Sequence, residues 1–167
     1  MTSVVDRPTE KTASATDDIP NVYLFPGHIF TSAEPAVVST ILGSCVAVCL
    51  WDGEIGIGGI NHFLLPSNPS RGNSDLRYGN HAMTRLLEAM LQRGASVKRI
   101  VAKIVGGASV LEAFTSTRRS IGDQNVAIAR DFLKAYAIHV TGDQTGGRRG
   151  RKLLFHTGNG SAYVKEI

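Results

Sequence analysis

The apolar residues of this chain fall into two patterns, and the order of the patterns predicts the fold. The first pattern consists of short runs that are rich in β-branched side chains and end at glycine or proline, which is typical of buried strands. These runs lie at residues 22–25, 36–42, 46–51 and 55–65. We therefore expect the folded part of the chain to open with a β-sheet.

Two amphipathic helices are predicted further along the chain, because apolar residues recur there at intervals of three and four. The first helix has Asn80 as its N-cap and stops at Gly94. Its apolar stripe consists of Met83, Leu86, Leu87, Met90 and Leu91. The second helix covers residues 124–136, and its buried side carries Val126, Ala129, Phe132, Leu133 and Tyr136.

Shorter elements complete the predicted fold. Strands are expected at residues 99–105 and 138–141, a short helix at 109–114, and a final hairpin that joins residues 153–156 to 162–165. Strands followed by a mixture of strands and helices indicate a single-domain layered α+β or α/β sandwich. In this sandwich a mixed β-sheet is flanked by the two main helices.

Two polar stretches are expected to lie outside the core. Residues 66–78 are interpreted as a surface loop, and residues 1–20, rich in Thr, Ser, Asp and Pro, as a disordered tail that precedes a domain at 21–167. The tail holds two basic and four acidic residues, so the domain carries a net charge of +6, whereas the whole chain carries +4. The folded part is therefore more basic than the chain as a whole.

Composition restricts the class of protein. A length of 167 residues with 43% hydrophobic and 19% charged residues suits one globular domain. Two cysteines are too few for a disulfide scaffold, no apolar run approaches the roughly 18 residues of a membrane span, and the polar N-terminus lacks the apolar centre of a signal peptide. We therefore expect a cytoplasmic protein with free thiols and without membrane insertion.

Cys45 is the first candidate for chemistry. It follows Gly43 and Ser44 at the start of a predicted strand. A glycine turn at this point can direct backbone N–H groups at the side chain, which lowers the pKa of a thiol and can hold an oxyanion. Cys49 lies deeper in the same apolar run and is interpreted as an inert core residue. On composition alone, Cys45 could equally be a buried and unreactive side chain.

His62 is the second candidate. A tight turn at residues 52–53 would make its strand antiparallel to the strand of Cys45, which brings the start of the first strand beside the end of the second. A cysteine and a histidine placed in this way can act as nucleophile and base, although a hydrogen-bonded strand histidine is the alternative. Ser39 and Thr40 both lie shortly before Cys45, and either hydroxyl could accept a hydrogen bond from the imidazole.

Other motifs give weaker signals. The glycines at 56, 58 and 59 lack the third glycine of a dinucleotide-binding loop, and the five histidines and two cysteines show no zinc spacing, so neither a cofactor nor a metal is expected. Residues 146–152 form a basic, glycine-rich cluster that we interpret as a mobile loop. No aromatic residues interleave with this cluster, which argues against a platform for single-stranded nucleic acid, and no nucleic acid is expected as a partner.

Six segments in this order resemble the chemoreceptor glutamine deamidase family, CheD. They are LGSCVAVCLWD, GGINHFLLP, RYGNHAM, KIVGGASV, IGDQN and DQTGGRRGR. The resemblance covers residues 22–165, and its specific parts are LGSC and the downstream His-x-x-x-Pro. It implies a cysteine hydrolase that deamidates glutamines in the cytoplasmic helices of methyl-accepting chemotaxis proteins, and thereby supports chemotactic adaptation. Methylesterase activity is sometimes attributed to the family.

The resemblance also implies a layered fold like the deamidase domain of cytotoxic necrotizing toxins, and chemistry without a cofactor. Cys45 matches the nucleophile of the family and His62 its base. The third member of the triad, a threonine in the family, corresponds to Ser39 or Thr40. Backbone N–H groups near Ser44 and Cys45 would stabilise the oxyanion.

The resemblance implies partners as well. A basic domain suits acidic receptor helices, and Arg148, Arg149 and Arg151 are candidates for receptor docking. Some family members also bind a CheC-type phosphatase. The alternative function is a non-catalytic module that binds chemoreceptors or such a phosphatase, and a nucleic-acid binder that uses the basic cluster is a third hypothesis.

Overall fold

Ten strands and two α-helices form three layers in the computed structural model, which describes residues 2–4, 18–69, 75–110 and 119–167. The strands are β1 (Thr2–Val4), β2 (Asn21–Tyr23), β3 (Ile29–Ser32), β4 (Val37–Leu42), β5 (Val46–Asp52), β6 (Ile57–Asn61), β7 (Val101–Gly106), β8 (His139–Thr145), β9 (Arg151–His156) and β10 (Ala162–Glu166). The helices are α1 (Gly79–Gln92) and α2 (Ile121–Ala135).

The strands form two mixed sheets, where the sequence predicts one. The first sheet has the order β1-β10-β9-β4-β2 and the second the order β3-β6-β5-β7-β8. Each sheet contains one parallel pair, β2 with β4 and β7 with β8. The chain crosses from the first sheet to the second at residues 43–45, because β4 pairs with β9 while β5 pairs with β6 and β7. This crossing places Cys45 at the boundary between the sheets.

Two apolar cores hold the layers together. The core between the two sheets includes Val38 of β4 with Ala47 and Cys49 of β5. The core between the second sheet and the helices includes Val46 and Val48 of β5. Successive side chains of a strand point to opposite faces, so β5 is buried on both sides, and this explains its continuous apolar run.

The first helix begins before its predicted start, whereas it ends before Gly94 as predicted. The predicted N-cap Asn80 is wrong, since Tyr78 is the N-cap. The Asn80 side chain instead binds the backbone of Asn68, accepting a hydrogen bond from its N at 3.1 Å and donating one to its O at 3.2 Å. Four residues of the predicted stripe are buried, but Leu91 is 41% exposed. Eight residues carry Leu91 about 80° around the helix from Met83, to the edge of the stripe.

The second helix begins three residues before its predicted start. Its N-cap is Ser120, whose side chain accepts a hydrogen bond from Asp123 N at 2.9 Å. The predicted residues Val126, Ala129 and Leu133 are buried, and Phe132 packs at the edge of the core. Tyr136 lies at the C-cap and is 45% exposed, so its predicted burial is wrong.

Some predicted boundaries also change. The third apolar run contributes only the five residues of β6, and β3 was not predicted. The segment interpreted as a disordered tail contains β1, which pairs with β10, while residues 5–17 lie outside the described residues. The described residues also exclude 70–74 of the predicted loop and 111–118, with most of the predicted short helix. No helix in the described ranges is both long and apolar enough to cross a membrane.

Candidate active site

Cys45 and His62 lie where β5 and β6 separate. The strands are antiparallel, and their last bridge joins Val46 to Phe63. Val46 N donates to Phe63 O at 3.1 Å, and Phe63 N donates to Val46 O at 3.0 Å. Cys45 and His62 each precede a residue of this bridge, so they are diagonal neighbours on the same face of the sheet. The predicted antiparallel arrangement is confirmed.

Both side chains face the space between the two sheets. Cys45 packs against the inter-sheet core, and His62, which is 1% exposed, contacts Thr40 of the opposite sheet. The backbone of His62 is bound to the segment before β3: its N donates to His28 O at 3.2 Å, and its O accepts from Gly27 N at 2.8 Å. The imidazole is therefore held through both its backbone and its ring.

The hydrogen bonds of Thr40 determine the tautomer of His62. Thr40 Oγ1 donates to Leu24 O at 2.7 Å and lies 2.8 Å from His62 Nδ1. A threonine hydroxyl carries one proton, so it accepts from Nδ1–H when it donates to a carbonyl. Nε2 then carries the lone pair, and it is a buried atom without a hydrogen-bond partner in the described part of the chain. His62 thus presents one basic nitrogen.

The alternation of β4 places Thr40, and not Ser39, beside the imidazole of His62. Thr40 is fully buried and lies on the same side of the strand as Val38, which belongs to the inter-sheet core. Ser39 is half-buried and lies on the outer face of the first sheet, with Leu154 and Tyr23 on the neighbouring strands. Ser39 therefore does not meet the imidazole.

Burial sets the protonation of both reactive groups. It raises the pKa of the Cys45 thiol, although the backbone N–H of Cys45 itself acts in the opposite direction. It also lowers the pKa of His62 to about 4. At neutral pH the resting pair is therefore a neutral thiol and a neutral imidazole. The lowered thiol pKa expected from the glycine turn is wrong, because desolvation outweighs the effect of the N–H group.

Cys49 has the surroundings predicted for it. It is 2% exposed and belongs to the inter-sheet core. Burial raises its thiol pKa strongly, and the positive charge of Lys103 only partly opposes this effect. Its thiol is therefore protonated and almost fully buried.

The carbonyl groups of the turn before β5 accept hydrogen bonds from the loop that follows β7 and from α2. Gly43 O accepts from Ala108 N at 2.9 Å, and Ser44 O accepts from Asn125 Nδ2 at 3.0 Å. In a trans peptide the C=O and N–H groups point in opposite directions. The N–H groups of Ser44 and Cys45 are consequently directed away from these two partners.

Gly106 allows the neighbouring loop to approach the turn. Gly107 N donates to Cys45 O at 2.8 Å, and a Cβ atom at Gly106 would lie 2.2 Å from the same oxygen. Gly106 also has a φ of 113°, which disfavours any residue with a side chain. A glycine at this position is therefore required for the loop to hold the Cys45 carbonyl.

Asn125 is a residue of the site that sequence reasoning missed. Its Nδ2 donates to Ser44 O at 3.0 Å and to Leu64 O at 2.9 Å, so it links the two chain segments where β5 and β6 separate. Asn125 is fully buried beside Val126 on the inner side of α2. The available signal was a polar residue at a buried position of an amphipathic helix, because such groups need hydrogen-bond partners.

A cleft of about 640 Å³ gives access to Cys45. The residues that line it are Gly43, Ser44, Cys45, Leu64, Leu65, Arg77, Ala108, Ser109, Val110 and Ile121. Arg77 is the one charged side chain among these described lining residues, and its Nη2 lies 2.5 Å from Asp75 Oδ2. This pairing lowers the pKa of Asp75 to about 2. The cleft is thus mainly apolar, with a paired cation at its edge.

The basic cluster does not behave as one surface. Arg148 and Arg149 are exposed, but Arg151 is buried, and its Nη1 donates to Gly106 O at 3.2 Å. Burial lowers the pKa of Arg151. The predicted docking role of Arg151 is therefore wrong, because its guanidinium faces the protein interior.

The loop that carries the cluster is also tied down. Gly146 N donates to Gly106 O at 3.0 Å, and Ser109 N donates to Gly147 O at 2.9 Å. These two hydrogen bonds anchor the loop, whereas the sequence predicted a mobile one. They attach the basic loop to the segment that borders the Cys45 cleft.

The matching family model and the similar proteins carry the same family name. The family model described as CheD chemotactic sensory transduction matches residues 64–166. A protein of Anaeromyxobacter dehalogenans named probable chemoreceptor glutamine deamidase CheD 1 is 42% identical over 100% of both chains. Proteins named probable chemoreceptor glutamine deamidase CheD from Rhodospirillum rubrum and Rhizobium leguminosarum bv. trifolii are 44% and 46% identical. They cover 90% and 84% of this chain, and 85% and 77% of their own lengths.

Among solved structures, a Neisseria meningitidis protein of the DUF152 family aligns with 87% of this chain and 74% of its own, at 10% identity and a TM-score of 0.47. That similarity is too low to inform on function. The family model and the relatives at more than 40% identity agree with the resemblance seen in the sequence. On this evidence the chain belongs to the CheD family.

Proposed function

We propose that this protein deamidates glutamine side chains in methyl-accepting chemotaxis proteins, with Cys45 as the nucleophile. The observation that carries the proposal is the 2.8 Å hydrogen bond between Thr40 Oγ1 and His62 Nδ1. It leaves Nε2 as the basic atom of an imidazole that shares a sheet face with the Cys45 thiol. Such a pair, with a third group that orients the base, is the arrangement that nucleophilic amide hydrolysis requires. The names of the relatives supply the substrate class.

The first step is attack of Cys45 Sγ on the glutamine Cδ. Both reactive groups are neutral at rest, because burial raises the pKa of Cys45 and lowers the pKa of His62 to about 4. His62 Nε2 therefore takes the thiol proton as the carbon–sulfur bond forms, and no thiolate accumulates beforehand. The π-electron pair of the carbonyl moves onto the amide oxygen.

The negative oxygen is stabilised by backbone donors. The N–H groups of Ser44 and Cys45 are fixed by the bonds that hold the carbonyls of Gly43 and Ser44, so they need no rearrangement when charge develops. The imidazolium formed on His62 then gives its proton to the departing nitrogen. The carbon–nitrogen bond breaks, ammonia leaves, and a thioester with Cys45 remains.

Hydrolysis of the thioester completes the cycle. Neutral His62 takes a proton from water as the water oxygen attacks the same carbon. The carbon–sulfur bond breaks, the sulfur takes the proton from the His62 imidazolium, and the glutamic acid formed releases its remaining proton to solvent as a carboxylate. Throughout both half-reactions Thr40 keeps the imidazole in one tautomer and position, so it acts as a positioning residue. No step needs a metal or an organic cofactor.

The proposal extends to the domain, its location and its partners. We place the catalytic domain at residues 21–167, to whose first sheet Thr2–Val4 of the preceding segment adds β1, in the cytoplasm, where the receptor helices lie. The basic domain, with exposed Arg148 and Arg149, suits an acidic receptor surface. A CheC-type phosphatase as a further partner, and a structural likeness to the deamidase domain of cytotoxic necrotizing toxins, stay predictions from the family resemblance.

The proposal is tested by incubating the protein with a purified receptor cytoplasmic domain and mapping the peptides by mass spectrometry. Each converted glutamine gains about 1 Da, since an NH₂ group is replaced by OH. The chain offers a matched pair of variants: Cys45→Ala should abolish conversion, whereas Cys49→Ala, the same change four residues along the strand, should keep it. Equal conversion by the Cys45 variant would exclude Cys45 as the nucleophile. Receptor binding without conversion by the wild type would favour a non-catalytic binding module.

A further inference from the structure

Asn125 is bound to the peptide unit that carries the N–H group of Cys45. The peptide bond between Ser44 and Cys45 has the C=O of Ser44 on one side and the N–H of Cys45 on the other. Asn125 Nδ2 donates to Ser44 O at 3.0 Å. Because a trans peptide is planar, a bond that fixes the direction of the C=O group also fixes the N–H group, which points the opposite way. Asn125 therefore sets the direction of a donor that it does not touch.

The second hydrogen bond of Asn125 reaches the chain segment of the proposed base. Its Nδ2 donates to Leu64 O at 2.9 Å, two residues after His62. The peptide unit between Leu64 and Leu65 is also held on its other side, since Leu65 N donates to Arg77 O at 3.0 Å. One anchored segment thus holds the amide group of Asn125 in place, and this amide group in turn holds the turn before β5.

The amide group of Asn125 has a defined orientation. Both of its partners, Ser44 O and Leu64 O, are carbonyl oxygens, which only accept, so the NH₂ group has to face them. Its Oδ1 is buried and has no hydrogen-bond partner in the part of the chain that the structure describes. Buried polar atoms seldom lack a partner, and those that do call for a specific explanation. The two donated bonds provide it, because an apolar side chain here would leave both carbonyls without this donor.

Close packing brings α2 to the turn. Gly122 lies about one turn before Asn125 on the same side of the helix, and a Cβ atom at Gly122 would lie 2.4 Å from Gly107 O. Gly107 N in turn donates to Cys45 O at 2.8 Å. The peptide units on both sides of Cys45 are therefore held: the one after it by the loop that follows β7, and the one before it, through Ser44 O, by Asn125.

We propose that Asn125 is a positioning residue for the oxyanion donor of Cys45. Its hydrogen bond to Ser44 O fixes the Cys45 N–H group before substrate binds, and it polarises the shared peptide unit so that this N–H group becomes a stronger donor. A donor that is already directed at the developing charge needs no reorganisation in the transition state. The inference rests on the proposed deamidase activity and deepens it, because the oxygen that is stabilised is that of the glutamine amide.

The test compares two reactions of Cys45, of which only one forms a negative oxygen. Asn125→Leu removes both donated bonds and keeps a side chain of similar size. We expect kcat for receptor deamidation to fall about 10- to 100-fold and KM to stay within about threefold, because the oxyanion forms only after substrate has bound. Alkylation of Cys45 by iodoacetamide at about pH 9 should change less than about threefold, since the sulfur displaces iodide from carbon and no oxyanion forms. Mass spectrometry of receptor peptides and of the alkylated protein measures the two rates.

Gln124→Met is the matched control. It also removes a side-chain amide that donates to a backbone carbonyl, since Gln124 Nε2 donates to Arg119 O at 3.0 Å, away from the Cys45 turn. Both rates should stay within about twofold of the wild type in this variant. If Asn125→Leu does not fold, Asn125→Ala removes the same donor without adding apolar bulk and carries the same comparison.

Two results would overturn the inference while leaving the proposed function intact. One is an unchanged kcat in the Asn125 variant. The other is an equal loss of deamidation and alkylation, which would show a general disturbance of the turn rather than a weaker oxyanion donor. Absence of conversion by the wild type is a different result, because it would contradict the proposed function and the inference together.

Discussion

Cys45 and Cys49 lie on the same face of one strand, yet the two ends of that strand give them different chemistry. At Cys45 the ladder between β5 and β6 has just ended, so the turn is free to bind a loop and α2, and a cleft reaches the thiol. Cys49 is paired with both β6 and β7, and its thiol lies in the inter-sheet core, where it is 2% exposed. The different surroundings of the two thiols follow from their positions along the strand rather than from the residue type.

The difference between the thiols should be largest in their rates of alkylation. In the folded protein, iodoacetamide should modify Cys45 at least roughly 1,000-fold faster than Cys49, because Cys49 is 2% exposed and burial raises the pKa of its thiol strongly. Burial raises the pKa of Cys45, so its rate should be slow at pH 7 and should still increase with pH above pH 9. Peptide mass mapping of the alkylated protein at several times measures both rates.

The Cys45→Ala variant is the control for that experiment, since it should stay unmodified under the same conditions. Two thiols that react at similar rates would show that the closed surroundings of Cys49 and the open surroundings of Cys45 do not govern reactivity. A Cys45 rate that levels off below pH 8 would show that the backbone N–H groups outweigh desolvation.

A substitution of Thr40 tests how His62, the proposed base, is held in position. Thr40→Val is nearly isosteric but removes both hydrogen bonds of the hydroxyl group, so His62 loses its fixed tautomer. We expect kcat for receptor deamidation to fall about 100-fold, with a smaller effect on KM, and the free energy of unfolding to fall by about 1–3 kcal/mol because Leu24 O loses its donor.

Adjacent substitutions separate this role from general packing. Ser39→Ala, one residue away on the outer face of β4, should leave kcat within about twofold. Thr40→Ser restores the hydroxyl group without the methyl group and should recover most of the kcat lost in Thr40→Val. If Thr40→Val kept full kcat while Ser39→Ala did not, the orientation of His62 by Thr40 would be wrong.

The burial of His62 predicts a loss of stability in mild acid. The pKa of His62 is about 4 in the folded protein against an ordinary value of 6.5, so the unfolded chain binds the extra proton between these two values. The free energy of unfolding should therefore fall as the pH falls below 6.5, by about 2 kcal/mol at pH 5, and this contribution should level off below pH 4. Urea unfolding at pH 7.5 and pH 5 measures the change.

Other histidines and carboxylates also contribute to acid sensitivity, so the informative quantity is a difference between variants. His62→Gln should lose about 2 kcal/mol less than the wild type between pH 7.5 and pH 5. His139→Gln, at an exposed histidine, should behave like the wild type. An identical pH dependence in all three proteins would mean that His62 is not buried as a neutral imidazole.

Local patterns in the sequence predicted most elements, because burial and strand alternation leave a local signal. The apolar run of β5, the four buried residues of α1 and the final hairpin followed from such patterns. The division into two sheets did not, because it depends on β4 pairing with β9, more than 100 residues away, rather than with β5. The position of β3 was missed for a different reason. All four of its residues are half-buried, so its sequence shows no clear alternation of apolar and polar positions.

The site was predictable to the extent that it is local. Cys45 and His62 followed from a glycine turn and an antiparallel pair, but the choice of Thr40 over Ser39 needed the side of β4 that faces the second sheet. The raised pKa of Cys45 depends on burial by distant segments, which the turn itself does not reveal. Arg151 shares a charge cluster with exposed residues, and only its place in β9 buries it.

The smallest predicted effect is a change in KM when a surface charge near one end of β5 is reversed. The loop of Arg149 is bonded to the segment that borders the Cys45 cleft, through Ser109 N and Gly147 O. Lys98 is exposed shortly before β7, near the Trp51 end, since Val101 pairs with Trp51. If acidic receptor helices dock beside the cleft, Arg149→Glu should raise KM about 3- to 10-fold with kcat unchanged, and Lys98→Glu should change KM less than twofold. Both variants alter the net charge equally, so a nonspecific charge effect would change KM by the same factor in each. Unequal values that converge at high salt would place the receptor at the Cys45 end, because screening weakens exposed charge pairs.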